Sequence, residues 1–221
     1  MSGTADEHKL PDTIPVFPLP NVLLLPGGEL PLNVFEPRYL AMTLDSFAAG
    51  RIIGVVQTRE HHIGPVPNDA ALYDIGCAGR ITGFSETPDR RFLITLSGHR
   101  RFRIQAEAPG RHGYRRMTVD YGPFAADAAG DAEVPEAARA ELMAAVKRFF
   151  ATRGIASDID KIDQAPAAPL ITSLAMEGPF GAVEKQAILE ARSAGDRAVL
   201  LARLLAMASE IPDPWTSDAR H

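Results

Sequence analysis

The stretch IPVFPLPNVLLLPGGELPLNVF, residues 14–35, runs directly into Glu36-Pro37-Arg38-Tyr39-Leu40 and decides how the chain is read. Its apolar residues come in short runs: Val16 and Phe17, Val22 to Leu25, then Leu30, Leu32, Val34 and Phe35. Prolines at 15, 18, 20, 26 and 31 interrupt them. Proline lacks a backbone donor and fits poorly inside a helix or a central strand, so the stretch reads as short strands and tight turns, with Gly27-Gly28 at a bend. The chemistry then changes. Pro37 suits a first helical position and Glu36 the helix start. Leu40, Leu44, Phe47 and Ala48 recur at helical spacing and Gly50 stops the pattern, which predicts a helix over 37–49. RIIGVVQ (51–57) reads as a buried strand.

Further on, LYDIGCAGRITGF (72–84) reads as a long strand with Ile75, Cys77, Gly79 and Ile81 on one face. RFLITLSG (91–98) alternates Phe92, Ile94 and Leu96 against Leu93, Thr95 and Ser97. HRRFRIQAEA (99–108) sets Phe102, Ile104 and Ala106 against Arg101, Arg103, Gln105 and Glu107, a strand with a charged outer face. YRRMTVDY (114–121) places Met117, Val119 and Tyr121 on one side. So many closely spaced strands argue for a barrel or a small sandwich, and the pattern alone does not choose. The small, acidic residues of 123–135 read as a linker. Beyond it the pattern is helical. Leu142, Val146, Phe149 and Phe150 predict a helix over 136–152 stopped by Gly154, and a short helix follows over 170–177. Residues 179–210 read as two helices joined near Ser193-Ala194-Gly195. The first is expected to bury Val183, Ala187 and Ile188; the second carries Leu200, Leu201, Leu204, Leu205 and Ala208.

This order resembles the Lon substrate-binding domain, the N-terminal domain of Lon-type ATP-dependent proteases. The resemblance rests on Pro18-Leu19, Val22, Pro26-Gly27, Pro31-Leu32 and Gln57; on Leu72, Tyr73, Gly76 and Ile81; on Gly98, Arg101, Phe102 and Ile104; and on Glu184-Lys185-Gln186, Ile188-Leu189-Glu190 and Asp196-Arg197. It covers roughly residues 14–209. It implies an α+β fold: a PUA-like β-barrel with an inserted helix over 13–122, a linker over 123–135, and a helical subdomain over 136–210. Flexible tails are expected at 1–12 and 211–221. It also implies a standalone form without the ATPase and protease domains of the full-length enzymes, acting in protein quality control.

Composition bounds the chemistry. Apolar content of 46%, charged content of 23% and a net charge of -5 are ordinary for a globular protein and argue against a dedicated nucleic-acid binder. The single cysteine, Cys77, fits a reducing compartment and reads as a buried inert thiol. The polar N-terminus has no secretory h-region and no apolar run approaches the ~20 residues that span a bilayer, so a cytoplasmic protein with no membrane partner is expected. There is no G-x-x-x-x-G-K-[ST] phosphate cradle and no G-x-S-x-G elbow. Ser193 joins two helices and lacks a lysine partner at the family's spacing. His61-His62 and the aspartates at 158, 160 and 163 read as solvated loops rather than metal ligands. No cofactor, no metal and no enzyme activity are expected. Trp215 reads either as a docking anchor or as an exposed side chain.

Two binding chemistries follow. The resemblance implies recognition of unfolded or partner polypeptide, and the candidates are Pro18, Leu19, Pro20, Asn21, Phe35 and Tyr39. The competing role for each is packing the barrel against the helices. The alternative is RNA or another anion. Residues 80–120 carry nine arginines against Glu86, Asp89, Glu107 and Asp120, and Arg101, Arg103, Arg115 and Arg116 are the candidates. Their competing role is a solvated strand face paired with acids elsewhere.

Overall fold

The structure is a computed structural model that describes residues 10–60, 62, 64–129, 133–155 and 159–210. It is α+β. Its contacts divide the chain into two compact units, Met1–Gly130 and Asp131–His221.

The first unit is built on six strands: β1 Thr13–Pro18, β2 Glu29–Val34, β3 Ile52–Val56, β4 Ile75–Glu86, β5 Phe92–Arg111 and β6 Tyr114–Asp120. β1 pairs parallel with β3 and antiparallel with β6. A parallel pair needs a crossover, which β2 and a helix, α1 (Pro37–Ala48), supply between them. β4 lies antiparallel between β3 and β5. β5 is 20 residues long, so it pairs with β4, with β2 along its first part and with β6 along its second. Strand pairing therefore runs in a circuit, β1–β3–β4–β5–β6 and back to β1, with β2 outside it as an edge.

The two strands expected over 91–98 and 99–108 are one. Their junction is a bulge: Gly79 faces Gly98 and Ala78 faces Arg100, leaving His99 unmatched. The backbone of the Leu24–Gly28 loop crosses here, through Gly27 N–H to Gly98 O (2.9 Å) and Gly98 N–H to Gly28 O (2.8 Å). A Cβ on Gly98 would stand 1.9 Å from Leu25 O, so only glycine fits. Leu23, Leu24 and Leu25 are buried in this loop without forming a strand. Nearby, Phe102 sits fully buried between Gly54 and Gly76, where an added Cβ would meet its ring at 2.9 and 2.7 Å. Its cluster includes Ile14, Val16, Val56 and Met117, and also Leu10. Residues 10–12 of the expected tail are thus tied down: Asp12 O accepts from Val119 N–H at 2.8 Å and Pro11 O from the Tyr121 hydroxyl at 3.1 Å. The rest of that tail, and 211–221, lie outside the described residues.

α1 buries Tyr39, Met42, Thr43 and Ser46 rather than the expected Leu40–Leu44–Phe47 stripe, and Leu44 is exposed. Two polar residues can face the core because their hydroxyls donate back along the helix, Thr43 to Tyr39 O (2.9 Å) and Ser46 to Met42 O (2.7 Å). Gly122–Ala129, which overlaps the expected linker, forms 3-10 turns packed on β5.

The second unit contains α2 Glu136–Arg153, α3 Ile159–Gln164, α4 Ala167–Glu177, α5 Ala182–Glu190 and α6 Ala194–Glu210. Gly154, at φ 61°, ends α2 in the left-handed conformation. α2 and α6 run parallel. Gly195 lies against Pro135 at one end, and Arg153 donates to Ala208 O (2.9 Å) at the other. Between them Leu142, Val146 and Phe149 meet Ala198, Leu201 and Leu205 as buried faces. α5 buries Gln186, Ile188 and Leu189, whereas Val183 and Ala187, expected inside, are exposed. Ser193 accepts from Asp196 N–H at 3.0 Å, which makes it the cap of α6. Among the described residues no helix is long and apolar enough to cross a membrane.

Candidate functional site

At the β2 edge of the first unit an apolar surface faces solvent. Phe35, just past β2, is 59% exposed, Phe84 on β4 is 46% and Leu93 on β5 is 45%. Pairing sets Phe84 and Leu93 on adjacent strands but on opposite faces of the sheet. Leu32, Ile94 and Phe84 lie abreast on three strands, and in the next row so do Asn33, Leu93 and Ser85. Residues directly abreast share a face, so the two rows show opposite sides of the sheet. A shallow groove of about 480 Å³ is lined by Pro31, Asn33, Gly83, Ser85, Leu93 and Thr95, with Phe84 beside it. Phe84 stands edge-on between Phe47 of α1 and Phe92, each ring centre 5.1 Å away. The Arg91 guanidinium lies 5.8 Å over the Phe35 ring and pairs with Asp89 at 2.7 Å. The edge thus exposes Leu93 on one face and Phe84 on the other, each beside polar neighbours, and exposed apolar side chains of this kind are the raw material of a contact surface.

The sequence candidates for polypeptide contact are dispersed. Phe35 belongs to this surface. Tyr39 is buried, its ring 4.2 Å from Phe17 with Arg38 above it at 4.5 Å, and burial pushes its hydroxyl pKa up to about 12. Pro18 is buried beside Val56 on β3; Leu19 and Pro20 are half-buried, and Asn21 is exposed at φ 56°. Phe84 and Leu93 were not singled out from the sequence. The outward phase of Leu93 in RFLITLSG was the available signal, but its neighbours come from strands that only pairing identifies.

The arginine candidates are mostly engaged. Arg101 is 3% exposed, and its guanidinium meets Asp127 at 2.8 and 2.9 Å, over the Phe124 ring at 4.7 Å. The bulge at His99 explains this. It shifts the alternation by one, so Arg101 and not Phe102 continues the face of Ile94 and Leu96, where the 3-10 turns cover it. Arg115 grips Glu107 with two bonds of 2.8 and 2.7 Å and donates to Ala70 O at 2.7 Å. Those bonds hold the Glu107 carboxyl below the usual range. Arg103 is exposed opposite Asp120, and Arg116 is half-buried. Nearby, one oxygen of Asp45 on α1 accepts from the Tyr114 hydroxyl (2.8 Å), His112 Nδ1 (3.0 Å) and Arg111 Nε (3.2 Å). Burial pushes the Asp45 carboxyl up, but these three partners outweigh it and leave it below its ordinary value.

Asp163 pairs with Lys147 at 3.3 Å. Cys77 is buried. His61, Asp158, the Asp160 side chain and Trp215 lie outside what is described.

Comparison with known proteins agrees with this architecture. The chain is 28% identical over 187 residues to Lon protease 2 of Sorangium cellulosum, an alignment covering 81% of this chain and 23% of that protein. It is 33% identical over 100 residues to the Lon protease of Flavobacterium johnsoniae, covering 45% and 12%. The chain thus spans under a quarter of the length of these curated relatives. Two solved structures share the fold. The Lon N-terminal domain protein from Xanthomonas campestris matches at a TM-score of 0.59 and 24% identity over 90% of this chain and 99% of that one. The N-terminal domain of the Mycobacterium avium complex Lon protease matches at 0.64 and 18% over 88% and 98%. The family model of the ATP-dependent protease La (LON) substrate-binding domain matches residues 13–207, nearly all of both units, and the chain belongs to that family.

Proposed function

We propose that this protein recognises unfolded or partner polypeptide through the apolar surface at the β2 edge, in cytoplasmic protein quality control, and performs no catalysis of its own. The observation that carries this reading is the exposure of Phe35, Phe84 and Leu93 at one edge of the sheet, with Leu93 on the wall of a groove that Asn33, Ser85 and Thr95 border. A non-polar segment laid there would cover aromatic surface that otherwise faces water. Membership of a substrate-binding family supports the same role.

The test is fluorescence anisotropy with a labelled unfolded polypeptide at low and moderate salt. Saturable binding that tolerates salt is expected. Phe35→Ser and Leu93→Ser should each weaken it by about tenfold, the effect of losing roughly 1.4 kcal/mol at a contact centre, with the thermal midpoint unchanged. A labelled RNA oligonucleotide in parallel tests the arginine strands, whose binding would fall steeply with salt. No polypeptide binding, or binding untouched by both variants, rules the site out.

A further inference from the structure

β2 stands at the edge of the sheet with β5 as its neighbour. Which of its backbone groups β5 uses follows from the register. Gly98 N–H donates to Gly28 O at 2.8 Å, one step before Glu29 meets Ser97. In an antiparallel ladder, residues that exchange bonds with the opposite strand alternate with residues that do not. Leu30, Leu32 and Val34 therefore turn their N–H and C=O groups towards β5, and Glu29, Pro31 and Asn33 turn theirs away. Pro31, which has no N–H to give, stands where the ladder asks for none.

Glu29, Pro31 and Asn33 are all exposed, and among the described residues no hydrogen bond reaches their outward groups. The open edge thus presents N–H and C=O at Glu29, C=O at Pro31, and N–H and C=O at Asn33 in one row. Their side chains lie on the face of the groove. Pro31 is abreast of Thr95 and Gly83, and Asn33 is abreast of Leu93 and Ser85. An extended chain laid along this row would bond to it through its backbone and set every second side chain on the same face as Leu93.

Resting on the polypeptide reading above, we infer that β2 takes up an extended polypeptide segment as an added strand, with its alternate, apolar side chains laid on the groove face beside Leu93. A backbone grip holds any sequence that can extend, and the groove selects for apolar side chains at every second position. The occupant is a foreign segment rather than a second copy. Two-fold pairing of β2 with itself centred on Pro31 would set two residues without donors opposite each other, and pairing centred on Leu32 would repeat the missing donor on both sides of the axis. A foreign strand meets the proline once.

Amide hydrogen exchange of the full chain, followed residue by residue by NMR, tests this directly. In the free protein the Glu29 and Asn33 amides should exchange at rates near those of an unstructured chain, while those of Leu30, Leu32 and Val34 are protected. Saturation with the unfolded polypeptide should slow Glu29 and Asn33 by about tenfold or more. Asn33→Pro removes an outward donor and leaves the bonds to β5 in place, as Pro31 already does one position earlier in the same row. It should weaken binding in the anisotropy assay by about fivefold, and Asn33→Thr, which keeps the N–H, should bind several-fold more tightly than Asn33→Pro. The exchange measurement needs no variant and decides the matter should Asn33→Pro fail to fold. Polypeptide binding that leaves the Glu29 and Asn33 amides exchanging freely would overturn strand addition and leave the binding role standing. No polypeptide binding at all would overturn both. Slowing of the same amides without polypeptide, growing with protein concentration, would give the edge to a second copy and overturn the foreign strand.

Discussion

Removing the carboxylate of Asp127 would take from the buried Arg101 guanidinium the charge that balances it. Both side chains are under 10% exposed, so little solvent reaches the charge. Asp127→Ala should therefore cost about 3–5 kcal/mol, read as a lower urea midpoint, while replacing both partners with apolar residues of similar volume (Arg101→Met with Asp127→Leu) should recover much of the loss. The double variant failing as badly as the single one would show that the pair does more than balance its own burial. The same arginine marks where sequence reading stops at this scale. Period-two alternation put Arg101 on an outer charged face, and it would have stayed there had β5 run without interruption. A single unmatched residue, His99, reversed the phase, and nothing in the composition of HRRFRIQ announces a bulge. Gly98 was legible as a family position, but its physical cause, the crossing of the Leu25 backbone, was not.

At the scale of elements, strands and helices were legible because periodicity is a local property. The proline-punctuated start, the helix near 37–49 and the helical second half all have counterparts in the structure. Which side of each element faces inward was less so. α1 turned its Thr43 and Ser46 inward, because hydroxyls that bond within their own helix carry little penalty for burial, and apolar spacing cannot register that. The candidate surface suffered more, since Phe35, Phe84 and Leu93 belong to separate strands joined only by pairing. Asp45 ties α1 to the turn between β5 and β6, and this gives a pH prediction. Its carboxyl is depressed in the folded protein, so the stability it contributes is complete above the unfolded value of about 3.9 and is lost as pH falls through the lower folded value. Asp45→Asn should lower the thermal midpoint at neutral pH and lose less than the parent between pH 5 and the acid limit. Parallel losses in the two proteins would remove Asp45 from the account of acid sensitivity.

Across the whole molecule the α+β class and the order of a β-rich part before a helical part were readable from end to end, because the family motifs recur in both units. Strand order was not readable, and it has a consequence for the time course of folding. β1 is made before every other strand, yet its two partners are β3 and β6, so its second row of hydrogen bonds must wait until the chain has been made through Asp120. Contacts so distant in sequence are slow to form. A strand left open for that interval is exposed to pairing with the wrong neighbour, and Pro15 and Pro18, three residues apart and so on opposite edges of the strand, each remove one donor from their own edge. The prolines that punctuate the opening stretch thus act before the native state exists. Pulsed hydrogen exchange during refolding should find the Ile14 amide, beside β6, protected no earlier than those of Ile94 and Leu96 in the β4–β5 hairpin; earlier protection would mean that β1 finds β6 before the hairpin closes.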